Sequence, residues 1–273
     1  MKLSQKKSLV GFLFCLPLLL GVLVVYGFPF CITLLRSLQQ SAANSTFTLA
    51  HYTGLFSNSA FQLAARNTFT FWAIALPCNL LLGLGLAYLC NHCFLRHCKP
   101  ILVFSAMVPA ACSVALLQLL LPTDTYAALI ASEVHAPLFI LLLFLWKYLG
   151  YTILILSAAL YTISPELIEA ATLCGATGWQ TFRYIELPLL LPALGASGFF
   201  AFLNSFKIFR EAYLIGGSYP NNSLYSLQHF LSNNFSNMNF SRLAAASVLV
   251  VVFLCGIFAL ALGLARRMKE VWQ

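Results

Sequence analysis

Six apolar stretches separated by polar ones organise this 273-residue chain. They run over Val10–Leu34, Thr68–Cys90, Ile101–Leu121, Pro137–Leu160, Leu189–Phe206 and Ala244–Ala265. Each is roughly 18–25 residues, and about 20 helical residues rising about 1.5 Å each cross a bilayer core about 30 Å thick. In lipid every backbone donor and acceptor must be paired within the protein. Continuous apolar runs therefore predict helices, because barrel strands are shorter and alternate. The expected fold class is an all-α membrane protein with six transmembrane helices. Between the spans, Arg36–Ala65 is rich in Ser, Asn and Thr and carries a short amphipathic piece near His51–Phe56. Asn91–Pro100 reads as a tight turn and Pro122–Ala136 as a short connection. Thr162–Leu187 is a longer polar insert. Lys207–Asn239 holds Gly216-Gly217, Pro220 and many Asn residues, which predict turns rather than one straight helix. No repeat or soluble domain interrupts this plan, so residues 1–273 are expected to form a single transmembrane domain.

Composition sharpens the picture. The chain is 61% hydrophobic and 8% charged, against roughly 25% charged in soluble domains. The first span follows Lys2, Lys6 and Lys7, lacks a small-residue cleavage site and exceeds a signal-peptide core, so it is read as retained. Net charge is +8, but its placement argues against nucleic acid as a partner. With the N-terminus inside, the cytoplasmic side holds Lys2, Lys6, Lys7, Arg96, Lys99, Arg183, Arg266, Arg267 and Lys269. The outer side holds Arg36, Arg66, Lys207, Arg210 and Arg242. That bias favours both termini inside, and places Thr162–Leu187 in the cytoplasm.

The polar insert has a legible local structure. Ser164-Pro165-Glu166 reads as a helix start: Ser can cap, Pro suits the first helical position, and Glu suits the positive dipole end. Leu167, Ile168 and Ala171 follow at helical spacing, and Gly175 is placed to end the helix in a left-handed conformation. Trp179, Phe182 and Tyr184 make an aromatic second half, and Pro188 opens the next span. On spacing alone this is an amphipathic loop at the membrane surface.

The residues Glu169-Ala170-Ala171, then Gly175, then Leu187-Pro188 resemble the EAA loop of binding-protein-dependent ABC importer permeases. The likeness extends over about residues 8 to 267. It includes Arg66-Asn67-Thr68 and Gly83–Ala87, Trp146–Tyr151 with Ala158–Leu160, and Phe206–Arg210 with Gly216-Gly217 and Tyr225–Phe235. These match sugar-type permeases similar to the maltose and glycerol-3-phosphate permeases. Where the family usually has Asp before the loop glycine, this chain has Cys174. The resemblance implies the type I, MetI-like architecture in a bacterial cytoplasmic membrane. It implies that Glu166, Glu169, Ala170, Ala171, Gly175, Leu187 and Pro188 form the coupling loop that docks on an ATPase. It also implies the partners: a second permease subunit, two ATP-binding cassette ATPase subunits, an extracytoplasmic solute-binding protein, and a sugar or sugar-like solute.

Charge at membrane depth gives the other candidate site. Lys147 falls near the middle of its apolar run. A charge there costs roughly 2.5–3.5 kcal/mol on insertion scales and normally faces the bundle interior or a wet cavity; the other reading is a snorkelling or structurally paired lysine. Lys207, Arg210 and Glu211 share a helical face, which predicts a Lys207–Glu211 ion pair. With Asn204 and Lys147 they are candidates for the solute pathway or its gate; an interfacial anchor is the alternative role.

Cys90, His92, Cys93, His97 and Cys98 have zinc-type donors, but crowded into nine residues of one turn, whereas zinc sites usually take pairs of ligands from separate elements. No metal and no cofactor are assigned. The sequence has no G-x-x-x-x-G-K-[ST], so no phosphate-cradling loop and no ATP hydrolysis are expected in this chain, and no catalytic constellation marks an enzyme. Two alternatives remain: an ion-gradient-driven secondary transporter, which would need coupling-ion sites and usually internal symmetry, and a membrane metal-binding protein using the turn at 90–98.

Overall fold

A computed structural model describes residues 2–41, 44–92 and 104–271. The described chain is helical apart from one short hairpin and the turns and loops that join the helices. The helices are α1 (Lys2–Val22), α2 (Phe28–Leu38), α3 (Ala50–Phe56), α4 (Ser59–His92), α5 (Ala110–Leu120), α6 (Thr123–Ala131) and α7 (His135–Tyr161). After them come α8 (Pro165–Leu173), α9 (Gly178–Thr181), α10 (Leu187–Ser205), α11 (Phe209–Gly216), α12 (Leu227–Ser236) and α13 (Phe240–Val271). Among the described residues five helical stretches are long and apolar enough to cross a membrane: Phe12–Leu38, Ser59–Asn91, His135–Tyr161, Gly178–Gly216 and Phe240–Leu260. The pair α5 and α6 makes a sixth if it is counted as one span.

The helix expected over Ile101–Leu121, whose first three residues lie outside the described part, is interrupted before α5: a 3-10 turn, Ser105–Met107, ends at Val108 (φ −70°, ψ 123°) and Pro109 (φ −59°, ψ 149°). A second break follows α5. α5 and α6 are bent by 119°. Pro122 explains the break: it has no N–H to donate, and its ring drives Leu121 to extended backbone (φ −98°, ψ 136°). The expected connection Pro122–Ala136 accordingly contains a helix of its own. The fifth span also starts earlier than Leu189. α9 passes into α10 through a π-turn, Phe182–Glu186, in which the Leu187 N–H reaches back to the Phe182 carbonyl. The wider turn absorbs Pro188 at the start of α10, so the proline does not interrupt the helix.

The chain packs as two compact units. One comprises Met1–Ser59 and Leu231–Ile257. In it α1 and α2 join through a π-turn, Leu23–Gly27, and α2 leads into the antiparallel strands β1 (Gln39–Ser41) and β2 (Asn44–Phe47). The amphipathic piece expected near His51–Phe56 is α3. It is fastened by Tyr52, whose hydroxyl donates to Ser37 Oγ at 2.8 Å, and by His51 Nε2, 2.9 Å from the Gln39 carbonyl.

The other unit comprises Ala60–Phe230 and Phe258–Gln273. Among the described residues its core includes two apolar clusters. Ala75, Ile140, Phe144, Tyr148, Ile208 and Ala212 belong to the first. Ala87, Ile153, Leu156, Leu160 and Leu190 form the second. α4 and α7 approach closely at Gly83, where a Cβ would collide with the Thr152 side chain. Around Trp72 the ring of Phe202 stands edge-on with centroids 5.0 Å apart, and that of Phe206 is tilted at 5.3 Å. Membrane burial is worth little between apolar helices, so such close and edge-on contacts supply much of the association.

Candidate functional site

The polar insert follows α7 directly, and its first helix is entered at Ser164, three residues after Tyr161. Pro165 occupies the first turn of α8 and Glu166 follows it there. Ser164 stands at the N-cap position in extended conformation, but its side chain makes no capping bond. Gly175 closes the helix with φ 84°. The Ala176 N–H reaches the Ala171 carbonyl at 3.0 Å and the Gly175 N–H reaches Thr172 at 2.9 Å. These two bonds are the Schellman pattern, and they explain why glycine is needed here. The chain then restarts at once. Thr177 caps α9 in a reciprocal box with Gln180: the Thr177 N–H donates to Gln180 Oε1 at 2.8 Å, and the Gln180 N–H to Thr177 Oγ1 at 3.4 Å. Thr177-Gly178-Trp179-Gln180 carries the T-x-x-Q signature of such a box, a signal the sequence reading passed over.

The result is a stiff, outward-facing corner. No residue of α8 is buried, and Glu166, Glu169, Ala170 and Gly175 are exposed. So are large apolar groups: Leu173 is 89% exposed, Tyr184 75% and Trp179 71%. Beside them lies a notch of about 360 Å³ lined by Cys174, Gly175, Gln180, Thr181, Tyr184 and Ile185. Exposed apolar side chains around a shaped recess mark a surface for protein or membrane contact. Leu187 and Pro188 are half-buried where α10 begins, behind this corner.

The second candidate set divides. Lys147 and Glu211 are 8% and 1% exposed, and the ammonium donates to Glu211 Oε1. The Lys147 Nζ lies 6.0 Å from the centre of the Tyr148 ring. Asn204 is buried as well, whereas Lys207 and Arg210 are exposed. The expected Lys207–Glu211 pair does not form among the described residues. Its premise, one continuous helix, fails: α10 stops at Ser205, the chain turns, and α11 starts at Phe209. The i, i+4 relation between 207 and 211 is lost with it, and Glu211 turns to the lysine of α7.

Next to this pair is a cavity of about 530 Å³, with walls that include Trp72, Ile140, Leu141, Phe206, Phe209 and Ala212 and with Arg66 on its lining. The segment 221–227 is fastened over the same unit by side chains. Asn67 Nδ2 donates to the carbonyls of Asn222 (2.6 Å) and Tyr225 (2.9 Å), and the Leu227 N–H donates to Thr68 Oγ1 at 3.0 Å. Asn221 Nδ2 donates to the Ile130 carbonyl at 2.7 Å. Sequence reasoning noticed Asn67 and Thr68 only through the resemblance; a polar Asn-Thr pair at the head of an apolar run was the physical signal. Of the Cys/His turn, Cys90 is buried, while Cys93, His97 and Cys98 lie outside the described residues.

Comparison with known proteins places this geometry in context. The chain is 24% identical to the lactose transport system permease protein LacF of Rhizobium radiobacter, covering 95% of each chain. It is 24% identical to the arabinooligosaccharides transport system permease protein AraP of Bacillus subtilis, covering 95% of this chain and 90% of that one. It is also 24% identical to the trehalose/maltose transport system permease protein MalF of Thermococcus litoralis, covering 92% of each. In fold it resembles a chain of a bacterial ABC transporter involved in the import of the acidic polysaccharide alginate, with TM-score 0.79, 19% identity, and coverage of 98% of this chain and 99% of that one. Residues 79–270, which hold the corner at 164–188 and the Lys147–Glu211 pair, match a family of transport components rather than enzymes. The protein is a multi-pass membrane permease: it belongs to the binding-protein-dependent transport system inner membrane components.

Proposed function

We propose that this permease subunit carries a sugar or sugar-like solute into a bacterial cell across the cytoplasmic membrane, with N- and C-termini inside and residues 1–273 acting as one permease domain. The observation that carries the reading is the corner at 164–188: a short helix with no buried residue, closed by a Schellman turn and a capping box, and bearing exposed Leu173, Trp179 and Tyr184. Glu166, Glu169, Ala170, Ala171 and Gly175 present this corner to an ATPase subunit, and Leu187 and Pro188 pass its movement into α10. The small side chains of Ala170 and Ala171 let the partner approach the helix backbone. Two ATPase subunits, a second permease subunit and an external solute-binding protein complete the machine. The names of the relatives, which transport lactose, arabinooligosaccharides and trehalose or maltose, support a sugar as the solute.

The solute path follows the segment that holds Asn204, Lys207, Arg210 and Glu211, together with Lys147 on α7. The adjoining cavity supports this, because residues of the same segment, Ser205 to Ala212, contribute to its walls. The deciding experiment is reconstitution of the complex purified through a tag on this chain. ATP-dependent uptake of a labelled sugar, stimulated by the binding protein, is expected. Uptake driven by an ion gradient without ATP would instead favour a secondary transporter.

A further inference from the structure

Resting on the importer reading, we propose that Lys147 and Glu211 form a latch, which holds α11 against α7 when the path is closed and opens into water as the solute passes. Stability does not explain the two charges. A buried ion pair loses in desolvation about what it gains in attraction, and apolar residues of similar volume are often neutral or stabilising in its place. The surrounding residues would suit such a replacement, since Ile140, Phe144, Tyr148, Ile208 and Ala212 form an apolar cluster. The bonding is also incomplete. Among the described residues Glu211 Oε2 is buried with no hydrogen-bond partner, although Oε1 is held by Lys147. A carboxylate half-satisfied in the closed state regains hydrogen bonds when water or solute hydroxyls reach it. The charges thus lower the cost of wetting this contact, which apolar residues would raise.

The placement gives the latch a role in transport. α7 runs unbroken from Lys147 to Tyr161, and the docking corner starts at Ser164. α11 leads into the segment that Asn67, Thr68 and Asn221 fasten to its neighbours. A shift of the corner therefore acts on Lys147 through one helix, while Glu211 stays with the fastened segment.

The test uses the reconstituted complex with four forms of this chain: unaltered, Lys147→Met, the apolar double Lys147→Met/Glu211→Leu, and the exchange Lys147→Glu/Glu211→Lys. The single variant leaves a lone buried carboxylate and is expected to fold poorly, so the doubles decide. The apolar double should assemble and melt at or above the unaltered temperature, yet lose roughly tenfold in uptake, within the usual range of coupling between sites. The exchange should recover most of the uptake lost by the single variant. A second readout is maleimide labelling, in detergent, of Ile215→Cys, half-buried beside the cluster, in a background free of other cysteines. Labelling should rise on nucleotide trapping in the unaltered pair and stay low in the apolar double. Uptake by the apolar double at the unaltered rate, an exchange variant no better than the single one, or labelling that ignores nucleotide overturns the latch. The importer reading fails separately, if the unaltered complex takes up nothing on ATP.

Discussion

The γ-methyl of Thr152 in α7 occupies the place where a side chain on Gly83 of α4 would begin, and the Thr152 hydroxyl donates to Asn79 Oδ1 at 2.5 Å. The two helices are thus keyed by a missing Cβ and a β-branched side chain that buried neighbours hold still. Gly83→Ala should destabilise the protein by about 1–3 kcal/mol, the usual cost of overpacking. Thr152→Ser, which removes the methyl and keeps the hydroxyl, should restore much of the loss. Melting of the detergent-purified single and double variants checks this; equal melting of Gly83→Ala and the unaltered protein would remove the key.

The proposed docking role of the corner depends on backbone geometry at Gly175. Its φ of 84° costs a residue with a Cβ about 1–2 kcal/mol. Gly175→Val and Glu169→Lys should both reach the membrane, yet reduce ATPase association and uptake together. Transport at unaltered rates by both would show that residues 162–187 are not the coupling loop.

A milder probe of the same corner is the capping box. Thr177→Ala removes the side-chain acceptor of the Gln180 N–H and should cost about 1 kcal/mol locally. Hydrogen exchange at residues 177–181 should speed up, while exchange in the middle of α7 stays unchanged.

Acid should loosen the segment around His229. This imidazole is fully buried, and its Nδ1 faces the Ser226 hydroxyl at 2.9 Å and the Ser226 N–H at 3.3 Å. Burial pushes its pKa down from 6.5 to about 4. Its folded value lies below its unfolded one, so its contribution to stability is complete above about pH 6.5 and is lost as pH falls toward 4. The loss amounts to up to about 3 kcal/mol. His229→Asn should flatten the melting temperature over that interval relative to the unaltered protein; parallel pH profiles would acquit the histidine.

Orientation can be read directly. In a cysteine-free chain, Asn222→Cys should react with an impermeant maleimide from outside and Thr177→Cys should not. External labelling at 177 would reverse the sidedness and remove the docking role with it.

Long-range packing decided what could be read from the chain beforehand. The spans and the corner were visible because hydropathy, Pro165 and Gly175 act locally, within a turn or two. The break at Leu121-Pro122 was legible, since the proline ends the expected span at Leu121, but nothing local showed that a second helix follows it at 119°. The partner of Glu211 was not readable. Lys207 sits four residues away and Lys147 sixty-four, and only the break at Phe206–Ile208 makes the distant lysine the nearer one. The fastening of 221–227 by Asn67 and Thr68 likewise joins residues about 155 apart.

The π-turn at Phe182–Glu186 fixes a phase. One extra residue in a helix rotates everything beyond it by about 100°. The faces that α10 turns toward α4 and α7, with Leu190 in the core and Gly198 beside Leu80, are therefore indexed by that single residue. Substitutions at exposed Arg183 or Tyr184 leave the index alone. A one-residue deletion there would straighten the helix and swing Leu190 out of its cluster. This short stretch should tolerate changes of side chain far better than changes of length.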